Sequence, residues 1–209
     1  MIKLEKTSIC GWEEAIRGMR NPMNSWDRSD SEWNYAFEAT YVIGENDAAL
    51  MRRLCKGGPV HAKFRRMITV YVDITAPFYW WKEMDTYKVG TVANSCSTMH
   101  KLTSKPFEMS DFSVEHLDIR NYTLFSQVIL NALNDARSNY VTLGDKADWW
   151  QLIQLLPTSY NQKRTMMLNY EVLVGIYRDR KNHKLDEWHT FCDWIETLPY
   201  SWIITGEEK

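Results

Sequence analysis

Between Arg52 and Arg66 the chain carries six cations and no acid. They are Arg52, Arg53, Lys56, Lys63, Arg65 and Arg66, with His61 among them, and they bracket the turn Gly57-Gly58-Pro59. The whole chain has 25 Lys and Arg against 27 Asp and Glu, a net charge of −2, so this run is a local asymmetry. Guanidinium and ammonium groups gathered at a turn suit a phosphate or another anion. A solvated basic face has the same composition, and both readings stay open. A second cluster, Arg178, Arg180, Lys181 and Lys184 with His183, falls between two predicted helices, where cations also favour the helix dipole. Other chemistries leave no mark: there is no P-loop, no GxGxxG and no nucleophile elbow. No carboxylate pair stands out, so no catalytic residue is assigned. Cys10, Cys55, Cys96 and Cys192 form no CxxC pair and have no histidine at zinc-ligand spacing. Buried free thiols are expected, and no metal.

The elements that position these residues follow from periodicity. Residues 46–56 read as a helix capped by Asn46 and ended by Gly57-Gly58-Pro59. Residues 64–74 alternate with period two and read as a strand, with Phe64, Ile68, Val70, Val72 and Ile74 on one face and Arg66 intruding on it. Thr75-Ala76-Pro77 looks like a helix start, the helix carrying Phe78, Tyr79, Trp80 and Trp81 to about Tyr87 before Gly90. Residues 91–98 are small and polar, suited to close approach of a ligand or to a surface loop. Residues 114–137, 146–156, 163–178 and 183–197 carry 3.6-period stripes. Asn21 to Ser31 reads as loop. The expected fold class is α+β, a twisted, mostly antiparallel sheet packed with several helices, in one domain over 1–209.

This order of features resembles the flavin-dependent thymidylate synthases. In that family a His-containing turn leads into a long strand and a Pro-started helix. A signature R-H-R-x-x-S-x-N-E-x-S-x-R-Y follows, then a Leu-Pro, then a helix with an Asn and an Arg. Here the corresponding residues are His61, the strand, Thr75-Ala76-Pro77, Tyr87 to His100, Leu156-Pro157, Asn169 and Arg180. The resemblance spans roughly residues 45–195. The arginines and histidine that open the signature are Tyr87, Lys88 and Val89 here, its glutamate is Ser95, and its closing arginine is Met99. The resemblance implies that His61, Asn94 and Asn169 contact a flavin, FAD. It implies that Lys63, Arg66, Lys88, Ser95, Ser97 and Arg180 bind a pyrimidine deoxynucleotide such as dUMP. NADPH and methylenetetrahydrofolate would be co-substrates of a methyl transfer.

Two functions compete. One is a diverged enzyme of that kind; the other is a nucleotide- or anion-binding or interaction protein on the same fold, without turnover. A homo-oligomer, a tetramer by resemblance, is expected. The rings of 10 Trp, 11 Tyr and 7 Phe point the same way, including Phe78 to Trp81 in a helix too short to bury them all. The net charge argues against nucleic acid as a partner. No apolar run approaches the roughly 18 residues of a membrane span, and the charged N-terminus is unlike a signal peptide, so a cytoplasmic location is expected.

Overall fold

The computed structural model describes residues 2–36 and 39–206. In chain order these form β1 (Lys3–Cys10), α1 (Trp12–Arg20), β2 (Glu32–Asn34), β3 (Thr40–Val42) and α2 (Glu45–Lys56). Then come β4 (Thr69–Pro77), α3 (Phe78–Met84), β5 (Val92–Ser95), α4 (Thr98–Lys101), α5 (Ile119–Leu124), α6 (Leu130–Leu143) and α7 (Lys146–Leu155). The chain closes with β6 (Asn161–Asn169), α8 (Tyr170–Arg180), α9 (Asp186–Thr197) and α10 (Trp202–Thr205). One antiparallel sheet has the order β1-β4-β6-β5, and β2 pairs with β3 in a separate ribbon, Trp33 opposite Tyr41. The class is α+β, as the periodicities predict.

Several boundaries differ from the expected ones, each for a physical reason. The strand expected over 64–74 begins at Thr69 and runs to Pro77, burying Val70, Val72, Ile74 and Ala76 on one face. Residues Lys63–Met67 are instead a 3-10 turn, in which Phe64 alone anchors to the core and Arg66 is exposed. The helix expected from Thr75 starts at Phe78, because the Phe78 and Tyr79 amides donate to the carbonyls of Tyr160 and Thr158 and need no side-chain cap. The helix expected over 163–178 is β6 followed by α8. Gln162, Met166 and Leu168 are buried at period two up to Asn169, whose side-chain oxygen accepts from Val172 N at 3.0 Å and starts the helix.

The helix expected over 114–137 starts at Ile119, after the Asp118 cap. It passes a π turn at Phe125–Ile129 and continues to Leu143. That turn shifts the register. Phe125 is buried, whereas Leu124 and Val128 of the expected stripe are exposed, as is Leu117 before the helix. Segment 91–98 holds β5 and the start of α4. Asn46 does not cap α2. Gly44 is the N-cap residue, and the Asp30 carboxylate accepts from the Asn46 and Asp47 amides at 2.9 and 3.1 Å. A side chain at Gly44 would collide with that carboxylate.

The chain divides into two compact units. The first holds the described residues of 1–3, 74–86 and 94–165. Its core gathers Leu102, Phe107, Phe112, Phe125, Leu133 and Leu152. The Asn134 amide brackets Phe107, accepting from its N–H at 2.8 Å and donating to its carbonyl at 3.0 Å. Of the Phe78 to Trp81 rings, Trp80 and Trp81 are fully buried and Phe78 and Tyr79 only partly, and the Trp81 indole donates to the Gln162 carbonyl. Exposed apolar side chains of this unit include Ile119, Leu143 and Trp150 on its helical stretch.

The second unit holds the described residues of 4–73, 87–93 and 166–209. Its core includes Met51, Ile68, Tyr170, Trp188 and Phe191. All four thiols are free; Cys192 is buried, Cys55 half-buried, and Cys10 and Cys96 are exposed, contrary to the expectation that all are interior. No helix of the described residues is long and apolar enough to cross a membrane.

Candidate functional site

The segment between α1 and β2 would be a loose loop but for Asp47. This carboxylate is fully buried on α2 and accepts from Arg20 Nε at 2.6 Å and from the Ser29 and Ser31 hydroxyls at 2.7 Å each. The Asp30 and Ser31 amides add two bonds at 3.2 Å. Burial by itself raises the carboxyl pKa; the Ser31 and Ser29 hydroxyls and Arg20 overcome it and hold it below the ordinary 3.8. Asp47 therefore stays ionised and ties residues 20–31 to α2.

Between that tied segment, α2 and the 3-10 turn lies a cleft of about 1720 Å³. It is floored by apolar side chains such as Met19, Leu50 and Phe64. Arg20, Arg28, Arg53, Lys63, Arg66 and His61 line it, against Asp27 as the one acid among the described lining residues. The basic run read from the sequence is thus divided by the fold. Arg53, Lys63 and Arg66 line the cleft, whereas Arg52 pairs with Glu45 at 3.0 Å and lies over the Trp202 ring at 5.1 Å. Arg65 turns toward α8, with Nη1 at 3.6 Å from Glu171. Its partner Cys55 is pushed up in pKa by burial, an effect that Arg65 opposes.

A second grouping forms around α8, whose two ends present Asn169 and Arg180. Arg180 Nε donates to the Tyr87 hydroxyl at 2.9 Å. Its guanidinium carbon lies 4.8 Å from the Trp188 ring centroid and 5.6 Å from that of Tyr87. The Thr91 hydroxyl donates to the Tyr87 carbonyl at 2.7 Å and closes the turn that carries Lys88, which is exposed. Gly90 in that turn has φ 77°, and a Cβ there would sit 2.7 Å from Asn169 Nδ2. The segment from Tyr87 to Thr91 thus supports both ends of α8. Gly90→Ala is expected to cost about 1–2 kcal/mol for the left-handed backbone alone. It should also displace the Asn169 cap, read as a fall in melting temperature together with lost helicity in circular dichroism.

Of the residues singled out by sequence, His61, Lys63 and Arg66 share the cleft, and Lys88, Asn169 and Arg180 belong to the α8 grouping. Asn94 and Ser95 are exposed on β5, and the Ser97 hydroxyl caps α4 by accepting from His100 N at 3.2 Å; these three lie in the first unit. Sequence reading missed Tyr87 and Trp188 as the holders of Arg180, and Arg20 and Arg28 in the cleft. Arg20 and Arg28 flank a loop too polar to show periodicity, so their charge was the only available signal. No group of three or more His, Cys, Asp or Glu among the described residues is placed to hold a metal ion.

An antiparallel sheet carrying this order of helices defines a fold class, that of the flavin-dependent thymidylate synthases. The chain superimposes on the flavin-dependent thymidylate synthase ThyX from Helicobacter pylori, complexed with FAD and dUMP, with a TM-score of 0.71 and 16% identity, over 99% of this chain and 100% of that one. It also matches a UMP/dUMP methylase, PolB from Streptomyces cacaoi, bound with 5-Br dUMP, with a TM-score of 0.62 and 13% identity, over 99% of this chain and 94% of that one. Compared by sequence, the chain matches no family model and no curated protein.

Proposed function

We propose that this protein binds a pyrimidine deoxynucleotide beside FAD and modifies the pyrimidine, in the manner of the flavin-dependent thymidylate synthases. Methylenetetrahydrofolate would be the carbon donor and NADPH the reductant. The observation that carries the reading is Arg180, held by a phenol and an indole at the position where the resemblance puts the nucleotide-binding arginine. The near full-length likeness to structures that hold FAD and dUMP supports it.

The cleft fits a ligand of this kind, because its apolar floor suits a flat ring and its basic lining suits phosphates. His61 and Asn169 would contact the flavin, which supplies the electron chemistry when bound. Arg180 would bind and orient the nucleotide, with Lys63, Arg66 and Lys88 taking anionic oxygens. Asn94, Ser95 and Ser97 are the further flavin and nucleotide contacts that the resemblance implies. The exposed apolar side chains along residues 117–155 support self-association, as a tetramer by resemblance.

One observation favours the second reading, a protein that holds a nucleotide without turnover. Tyr87 and Val89 stand where the family signature has cations, and Tyr87 is engaged with Arg180. Reconstitution with FAD tests the flavin. The expected result is a yellow protein that releases flavin fluorescence on heating; a colourless protein that takes up no FAD would remove the enzyme reading.

A further inference from the structure

We infer that Arg20 is a phosphate-binding residue of the cleft, held by Asp47 so that its Nη2 meets a phosphoryl oxygen of the bound nucleotide. The inference rests on the nucleotide reading above and adds to it a residue that the resemblance does not assign. Arg20 lines the cleft although it is only 4% exposed. Its Nε donates to Asp47 Oδ1 at 2.6 Å and its Nη1 to the Ser25 carbonyl at 3.1 Å. The other Asp47 oxygen is taken by the Ser29 and Ser31 hydroxyls and the Asp30 and Ser31 amides. The pair is thus joined through one oxygen, and Asp47 does not close on Nη2. That nitrogen has no acceptor among the described residues and is not sealed from solvent.

A guanidinium carries five N–H donors in a rigid planar fork. Commitment of Nε and Nη1 to the cleft wall fixes the direction of Nη2 before any ligand arrives. Arg28, Arg53, Lys63 and Arg66 line the same cleft, are exposed, and have no acid paired with them among the described residues. Arg20 and Asp47 cancel, so these four cations against Asp27 set the charge that a ligand meets. A carboxylate presents two coplanar oxygens and pairs best with a complete fork. One directed nitrogen, in a cleft with four separate cations, suits the tetrahedrally spread oxygens of a phosphate instead. The exposed cations draw the anion in. Arg20 fixes where it stops, and being already immobilised it gives up little side-chain freedom on binding.

Calorimetric titration tests this on the wild type and Arg20→Lys, with FAD against riboflavin, and with dUMP against deoxyuridine on the FAD-loaded protein. Arg20→Lys keeps a cation beside Asp47 and removes the second donor direction. It is expected to weaken one phosphate-carrying ligand roughly tenfold or more, the equivalent of one hydrogen bond to a charged group. Riboflavin and deoxyuridine, which lack phosphate, should bind both proteins equally. A loss on FAD places its diphosphate at Arg20; a loss on dUMP alone places the monophosphate there. Both results support the inference.

Weakening shared equally with the phosphate-free counterparts by a folded Arg20→Lys would assign Arg20 to wall support and overturn the inference. Unchanged binding of FAD and dUMP would overturn it while leaving the nucleotide reading intact. Should Arg20→Lys not fold, nitrogen-15 NMR of the wild type decides. An Arg20 Nη2 signal that moves with FAD or dUMP, and stays in place with riboflavin and deoxyuridine, supports the inference; a signal that none of them moves overturns it. Should the wild type bind neither FAD nor dUMP, the nucleotide reading fails, and inorganic pyrophosphate becomes the probe. A saturable shift of the same signal keeps Arg20 as a phosphate-binding residue; no shift removes it.

Discussion

Asp47→Ala is expected to destabilise the protein by about 3–5 kcal/mol, the cost of removing one partner from a buried ion pair. The substitution strands Arg20, which is 4% exposed, without its carboxylate. It also removes the acceptor for two hydroxyls and two amides of residues 29–31. For a chain of 209 residues this corresponds to a fall in melting temperature of roughly 6–20 °C, at about 2–4 °C per kcal/mol. Tryptophan fluorescence during thermal denaturation reads it directly. Because the folded carboxyl is held below 3.8, its contribution is fully present above that pH and is lost as pH falls through the folded value. The difference in stability between wild type and Asp47→Ala should therefore be constant near neutral pH and close on the acid side of 3.8. An unchanged melting temperature at pH 7 would show that Asp47 does not tie the cleft wall.

Arg180→Ala is expected to weaken dUMP binding tenfold or more. Hydrogen bonds to charged groups contribute about 1.5–3 kcal/mol each, and about 1.4 kcal/mol is a factor of ten. The same substitution empties the space against Trp188 and releases Tyr87, so a change in tryptophan fluorescence should accompany it. Asn94→Ala should weaken binding less, and Lys6→Ala should leave it unchanged. Calorimetric titration with dUMP, with and without FAD, gives all three. Wild-type and Arg180→Ala curves that coincide would misplace the site.

What was legible in the sequence is what local spacing encodes. The Glu45–Lys56 helix, the Lys146–Leu155 helix and the second half of the long strand all declare themselves within a few residues. The β6–α8 junction does not. Met166, Tyr170, Leu173, Val174 and Tyr177 keep helical spacing across it, so one stripe conceals a strand and a helix. The signal there was Asn169, a residue type suited to capping, whose side-chain oxygen accepts from Val172 N and starts α8. In the site, the cations were visible through their density along the chain. Their partners were not, because Tyr87 lies 93 residues from Arg180 and Arg20 lies 27 from Asp47, distances that no local pattern spans. The cluster from Arg52 to Arg66 shows the same limit: its charge is local, but whether a cation meets the cleft or an internal acid depends on Glu45 and Glu171.

The central claim, modification of a pyrimidine deoxynucleotide, is tested most directly at C5 of the ring. Putting a carbon substituent there must expel the C5 hydrogen. Incubating the FAD-loaded protein with dUMP tritiated at C5, methylenetetrahydrofolate and NADPH should release tritium to water. That release should require both the folate and FAD, and it should fall by at least tenfold in Arg180→Ala at subsaturating dUMP. Retention of all tritium by a protein that binds dUMP and FAD saturably would contradict the claim, leaving a nucleotide-holding protein on this fold.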